Sequence, residues 1–76
     1  MRKIDSRECH LSFGRFIKQR RELLKLQQKE IAEKVGITQP YLSYIERGER
    51  DIDLPLALNL CEALELDINE FVKNYL

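Results

Sequence analysis

Gln39, Pro40, Ser43, Tyr44 and Arg47 fall on one side of a short segment whose other side, Leu42 and Ile45, is apolar. The chemistry these five can offer is recognition rather than reaction. A glutamine amide carries a donor and an acceptor in one plane, which suits the major-groove edge of adenine; it can also engage guanine. A phenol one turn further on, at Tyr44, can donate a single hydrogen bond or pack on a thymine methyl. Ser43 is small enough to let a helix approach closely, and Pro40 has only apolar surface to give. Arg47, with Thr38 upstream and Arg50 downstream, is the kind of group that touches phosphate and sets register without reading sequence. Tyr41 is a further phosphate candidate, although Tyr41 and Tyr44 could instead pack on neighbouring side chains.

Reaction chemistry is missing from the pattern. His10 stands beside Cys9 with nothing to orient it, so the two do not make a nucleophile–base pair. They also lack a second Cys/His pair to complete four metal ligands, and Cys9 and Cys61 form no CxxC. The acidic residues towards the C-terminus read as helix caps and solvated faces, and no glycine-rich phosphate loop is present. No enzyme, metal, cofactor or small-molecule ligand is therefore expected. Cys61 is expected as a core thiol and Cys9 as a free one, in a reducing cytoplasm. The longest unbroken apolar run is three residues, too short for a membrane span or a secretory signal. Seventy-six residues suit one small domain. Net charge is zero but unevenly spread: +5 over residues 1–25, 0 over 26–50 and −5 over 51–76. A neutral total does not exclude a nucleic-acid partner, because the face that meets it can be locally basic.

The elements that must hold the polar face follow from apolar spacing and turn chemistry. Ile31, Ala32 and Val35 mark one short helix, and Gly36 can end it in the left-handed conformation. Thr38 is a good N-cap for the next, with Pro40 in its first turn and Gly48 closing it. Two helices joined by so short a turn, the second with a polar outer face, make a helix-turn-helix at about residues 28–48. Residues 1–11 read as an N-terminal arm in which Arg2, Lys3 and Arg7 could reach a phosphate backbone. Ser12 is expected to cap a first helix, stapled by Leu11 and Phe16 and burying Phe13, Phe16, Ile17, Leu23 and Leu24. Arg20 interrupts that stripe. Gln27 is a poor cap for the second helix. Asp53 caps a fourth helix with Leu54, Ala57, Leu60, Cys61 and Leu64 as its stripe and Leu56 and Leu58 beyond it. Asp67 and Glu70 form a capping box for a fifth, with Leu66 and Phe71 as its staple. Ile68, Phe71, Val72, Tyr75 and Leu76 keep that last helix apolar to its end, either packed internally or set against another copy.

Gln28, Glu30-Ile31-Ala32, Val35-Gly36-Ile37-Thr38-Gln39, Leu42-Ser43 and Ile45-Glu46-Arg47-Gly48 together resemble the phage-repressor/Cro type of helix-turn-helix domain, also called XRE-like. The resemblance runs from about Phe13 to Val72. It implies an all-α, compact, five-helix lambda-repressor-like fold over residues 12–76. It further implies a sequence-specific regulator of double-stranded DNA, cytoplasmic, with Gln39, Pro40 and Tyr44 at base-reading positions. Gln28 matches a phosphate-binding position, and Arg21 matches an arginine that pairs with the glutamate at Glu46. Thr38, Arg21, Arg47 and Arg50 would touch phosphate. Lys25 and Glu65 stand where the family commonly has glycine, so those turns are expected to differ locally. A homodimer joined through Phe71, Val72, Tyr75 and Leu76 would suit a two-fold operator, and the size would suit a restriction–modification controller. The other reading is a protein-interaction module of the same fold, such as an antitoxin-like partner.

Overall fold

The computed structural model describes residue 3 and residues 5–75, with Tyr75 described through its backbone alone. Five helices follow one another: α1 (Ser6–Leu23), α2 (Gln28–Val35), α3 (Gln39–Glu46), α4 (Leu54–Ala63) and α5 (Ile68–Tyr75). No strand occurs among the described residues. α3 packs on α1 and α2, α4 packs on α2, and α5 packs on α1.

α1 begins earlier than Ser12. Asp5 caps it, its Oδ1 accepting the Glu8 N–H at 2.8 Å while its carbonyl accepts the Cys9 N–H at 3.0 Å. Residues 6–11, expected as an arm, are therefore helical. The apolar spacing gives the reason: Cys9, Phe13, Phe16 and Ile17 fall on one face, and Cys9 packs against the core. Lys3 and Arg7 are exposed, and Arg2 lies outside the described residues.

Ile17, Ile31, Leu42, Ile45, Leu60 and Leu64 are fully buried, each contributing about 1.5–3 kcal/mol of apolar transfer. At the other end of the core, Phe71 meets Phe13 edge-on at 5.3 Å and Phe16 at 5.6 Å. Two expected core leucines are outside it: Leu23 is 71% exposed and Leu54 66%. At about 100° per residue, Leu24 returns to the face of Ile17 whereas Leu23 lands roughly 120° away. Leu54 sits in the first turn of α4, at the edge of a shallow apolar groove that Phe13, Ile52 and Val72 also line.

Four helices end in one way. The N–H groups of Leu26, Ile37, Glu49 and Leu66 reach back to the carbonyls of Arg21, Ala32, Tyr44 and Cys61, at 2.8–3.0 Å. The residue before each is left-handed: Lys25 (φ 58), Gly36 (φ 76), Gly48 (φ 72) and Glu65 (φ 56). Lys25 and Glu65 thus take the turn a glycine would take, at a steric cost, and the turns do not change shape. α2 starts without a strong cap residue, but Glu30 Oε1 accepts the Gln27 N–H at 3.1 Å. Asp53 caps α4 through the Leu56 N–H at 2.9 Å. At α5, Asp67 Oδ1 accepts from the Asn69 N–H at 2.9 Å.

Two side chains fix how α1 lies on its neighbours. Arg20 Nε donates to Leu64 O at 3.0 Å and Nη2 to Glu65 O at 3.4 Å, satisfying carbonyls at the end of α4. Gly14 lies where α1 crosses the end of α3. A Cβ there would run into Ile45 O and come within 2.7 Å of Glu46 O.

Candidate nucleic-acid interface

The outer face of α3 is built by the turn before it. Gly36 ends α2 and turns the chain, and Thr38 Oγ1 then accepts the Tyr41 N–H at 3.2 Å. With Pro40 in the first turn, Thr38, Gln39 and Pro40 stand exposed at the N-terminal end of α3. The Gln39 amide makes no side-chain hydrogen bond among the described residues, so its donor and acceptor groups are unspent within them. Ser43 and Tyr41 are half-buried and Tyr44 is exposed. The Tyr41 hydroxyl leans towards the chain after α3, 3.5 Å from Asp51 O.

The far end of α3 is anchored by a buried carboxylate. Glu46, its last residue, is only 4% exposed. Its Oε2 accepts Arg21 Nε at 2.7 Å and its Oε1 accepts Arg21 Nη2 at 3.0 Å and Gln28 Nε2 at 2.8 Å. Arg21 Nη1 donates to Leu26 O at 2.8 Å. One carboxylate therefore ties α1, the start of α2 and the end of α3 together, with planar bidentate geometry that lysine could not reproduce. The bond to Glu46 pushes the Arg21 pKa up, against the opposing effect of burial. Gln28, expected to face a phosphate, turns one amide hydrogen inward to Glu46 and keeps only its second for a ligand.

Around Tyr44 the structure gathers charge. The Arg47 guanidinium lies 5.0 Å from the ring centroid and that of Arg50 5.2 Å, cation–π distances both. Arg47 is held further by two hydrogen bonds, Nη1 to Ser43 Oγ at 2.6 Å and Nε to Glu49 Oε1 at 3.0 Å. Glu49 was not singled out from sequence. The only signal was its position one residue after Gly48, where a left-handed turn folds the chain back towards Arg47.

Other candidates are redistributed. Phe71 is 5% exposed and belongs to the protein's own core, so it is removed from the expected dimer surface; its ring fills the space against Phe13 and Phe16. Val72 is 42% exposed, while Leu76 and the side chain of Tyr75 lie outside the described residues. His10 is oriented after all, but not towards Cys9: its Nε2 lies 3.3 Å from Asp51 Oδ1 and 3.2 Å from Ser6 Oγ. No group of His, Cys, Asp and Glu among the described residues could hold a metal. Both cysteines are free, and burial pushes the Cys61 thiol pKa up, with a smaller push from Asp67. No described helix is long and apolar enough to cross a membrane.

A family model described as helix-turn-helix matches residues 17–71. Two uncharacterized helix-turn-helix-type transcriptional regulators of Mycobacterium tuberculosis are 34% identical over 53 residues, which is 70% of this chain and 38% of each relative. The chain thus spans about two-fifths of the length of the curated relatives it matches. Among solved structures, the restriction-modification controller protein C.AhdI from Aeromonas hydrophila is 30% identical with a TM-score of 0.75, over 80% of this chain and 92% of that one. The clp gene regulator ClgR from Corynebacterium glutamicum, 23% identical with a TM-score of 0.82 over 86% and 69%, shares the fold. So does the controller protein C.Esp1396I, solved as a tetramer with its natural 35 base-pair operator: 23% identical, TM-score 0.76, 87% of each chain. The chain belongs to the XRE-type helix-turn-helix family of transcriptional regulators, and its fold is the five-helix lambda-repressor-like one.

Proposed function

We propose that this family member is a sequence-specific regulator that binds double-stranded DNA as a homodimer on a two-fold operator, with α3 in the major groove. The observation that carries the reading is the outer face of α3. It pairs an unspent amide at the helix N-terminus with an exposed phenol flanked by two guanidinium groups. In this reading Gln39 and Tyr44 read bases, Pro40 adds apolar contact, and Ser43 permits close approach while holding Arg47. Arg47, Arg50, Thr38, Tyr41 and the second amide hydrogen of Gln28 take positions on phosphates. Arg21 spends three of a guanidinium's five N–H groups inside the protein, so it mainly orients α3 and has two left for a phosphate.

A single small module buries modest area on DNA, which is why two copies on two half-sites are needed for useful affinity. Val72, Tyr75 and Leu76 are the proposed contact between copies, and Phe71, buried in the protein's own core, drops out of it. Selection of bound duplexes from a random library tests the whole reading. It should enrich a pseudo-palindrome whose half-sites lie about 10–10.5 base pairs apart, or a multiple of that. A selected pool no different from the input would overturn it.

A further inference from the structure

Glu49 is an acidic group seated on the proposed DNA-facing surface, and its contact is specific. Its carboxylate accepts Arg47 Nε at 3.0 Å, in a pair whose two side chains are each half exposed. Arg47 in turn lies on Tyr44 and on Ser43 Oγ. The turn that brings Glu49 back is tied to α3: Gly48 is left-handed at φ 72, and the Glu49 N–H is bonded to Tyr44 O at 2.9 Å. A Cβ at position 48 would strike Leu11 of α1, so the turn is also packed from behind. Two guanidinium groups on one ring repel each other, and Glu49 is placed to offset that repulsion in the free protein.

We infer that Glu49 is a positioning residue that competes with DNA phosphate for Arg47. In the free protein the carboxylate holds the guanidinium on Tyr44. When a duplex arrives, a phosphate oxygen takes the Nε–H, and the displaced carboxylate is left beside a polyanion. Glu49 therefore weakens binding to every duplex, cognate or not, and leaves discrimination to the base-facing side chains. This rests on the reading of α3 as the DNA-facing helix.

The test is a binding cycle over salt concentration using wild type, Glu49→Gln, Arg47→Ala and the double variant, each on a selected duplex and on a scrambled one. Glutamine keeps the shape and an acceptor oxygen but removes the charge. An exposed ion pair has a strength equivalent to about two- to five-fold in an equilibrium constant. Glu49→Gln should therefore tighten both duplexes by about two- to five-fold near 0.1 M salt, with a salt slope steeper by up to about 0.9. The gain should shrink in the Arg47→Ala background, because no guanidinium remains to be released. Equal gain with and without Arg47 would show a general charge effect and overturn the inference, as would unchanged or weaker binding by Glu49→Gln. In both cases wild type still binds, and the DNA-binding reading stands. If wild type itself ignores salt or binds neither duplex, both fall together.

Discussion

Removing Glu46 should cost this domain a large part of its stability. The carboxylate is buried and accepts three hydrogen bonds, two of them from the Arg21 guanidinium, whose side chain is only 11% exposed. Deleting one partner of such a pair leaves a charge without its counterion and costs about 3–5 kcal/mol. At roughly 0.05–0.15 kcal/mol per residue a chain of this size has about 4–11 kcal/mol in total, so Glu46→Leu alone should lose about a quarter of it or more. Arg21→Met should be similarly damaging. The double variant should recover most of the loss, since buried pairs replaced by apolar groups of like volume are often near neutral. It keeps a deficit of about 1 kcal/mol for the Gln28 hydrogen bond. Urea unfolding followed by circular dichroism on all four proteins gives the coupling energy, provided the slope with denaturant is unchanged. A coupling of about 2 kcal/mol or more is expected; single effects that add to within about 0.5 kcal/mol would refute the argument. The pH dependence has a definite sign. Because the folded-state pKa of Arg21 is raised, its contribution is complete below the unfolded value and is lost only as pH rises through the folded one. Neutral and mildly alkaline buffers should therefore show no loss from this pair.

Lys25→Gly and Glu65→Gly should each stabilise the fold by about 0.5–1 kcal/mol, the left-handed strain relieved less the entropy glycine adds; thermal melting should rise by a few degrees, and a fall would mean that their side chains matter more than their φ. Gly14→Ala should destabilise by about 1–3 kcal/mol, because backbone carbonyls of α3 rather than a flexible side chain occupy the space. Arg50→Ala should weaken cognate and scrambled duplexes about equally and lower the salt slope by roughly 0.9; a loss confined to one base position would make Arg50 a reader instead. Gln39→Ala should cost about 1–3 kcal/mol at one base pair of the operator and relax preference there, measured on operators changed singly at each position. Uniform weakening across that set would reduce Gln39 to a positioning contact and make Tyr44 the better candidate reader.

The helix order, the turn at Gly36 and the cap at Thr38 were legible in the sequence because each rests on local chemistry: apolar spacing, a residue tolerant of positive φ, a short hydroxyl side chain. What escaped reading depends on where chain segments meet. The Gly14 crossing is invisible without knowing that α3 lies against α1, and a lone glycine inside a helical pattern otherwise signals only weakness. Arg20 looked like a fault in an apolar stripe. It is the group that satisfies the end of α4, a partner 44 positions away. The start of α1 was placed at Ser12 although Asp5 is an equally good cap residue. The deciding fact is that Cys9 packs against the core, and a single cysteine is an ambiguous member of an apolar stripe. The family resemblance points Gln28 towards phosphate, whereas the buried Glu46 carboxylate within reach claims one of its amide hydrogens. Lys25 and Glu65 show the converse: tertiary packing imposed a glycine-like turn on residues that local preference disfavours.

Zero net charge looks a poor start for a protein proposed to bind DNA, and the geometry says how far that matters. The acids after residue 50 are carried mainly by α4, α5 and their connections, and those helices pack on α2 and α1. A helix with its side chains is about 10–12 Å across, and the Debye length at physiological salt is about 8 Å. Charges one helix layer behind α3 therefore act on a bound phosphate only weakly. At the surface itself part of the charge is already paired. Glu46 is neutralised inside by Arg21, Arg47 is paired with Glu49, and the Asp51 carboxylate lies beside His10. On the inference drawn above, Arg47 would attract an arbitrary duplex only once Glu49 gives way. In the proposed function, then, affinity must come from contacts that only a fitting site completes, through Gln39 and Tyr44, and from two copies binding at once. A protein working in that way would bind DNA in general weakly and would owe its selectivity to fit rather than to charge.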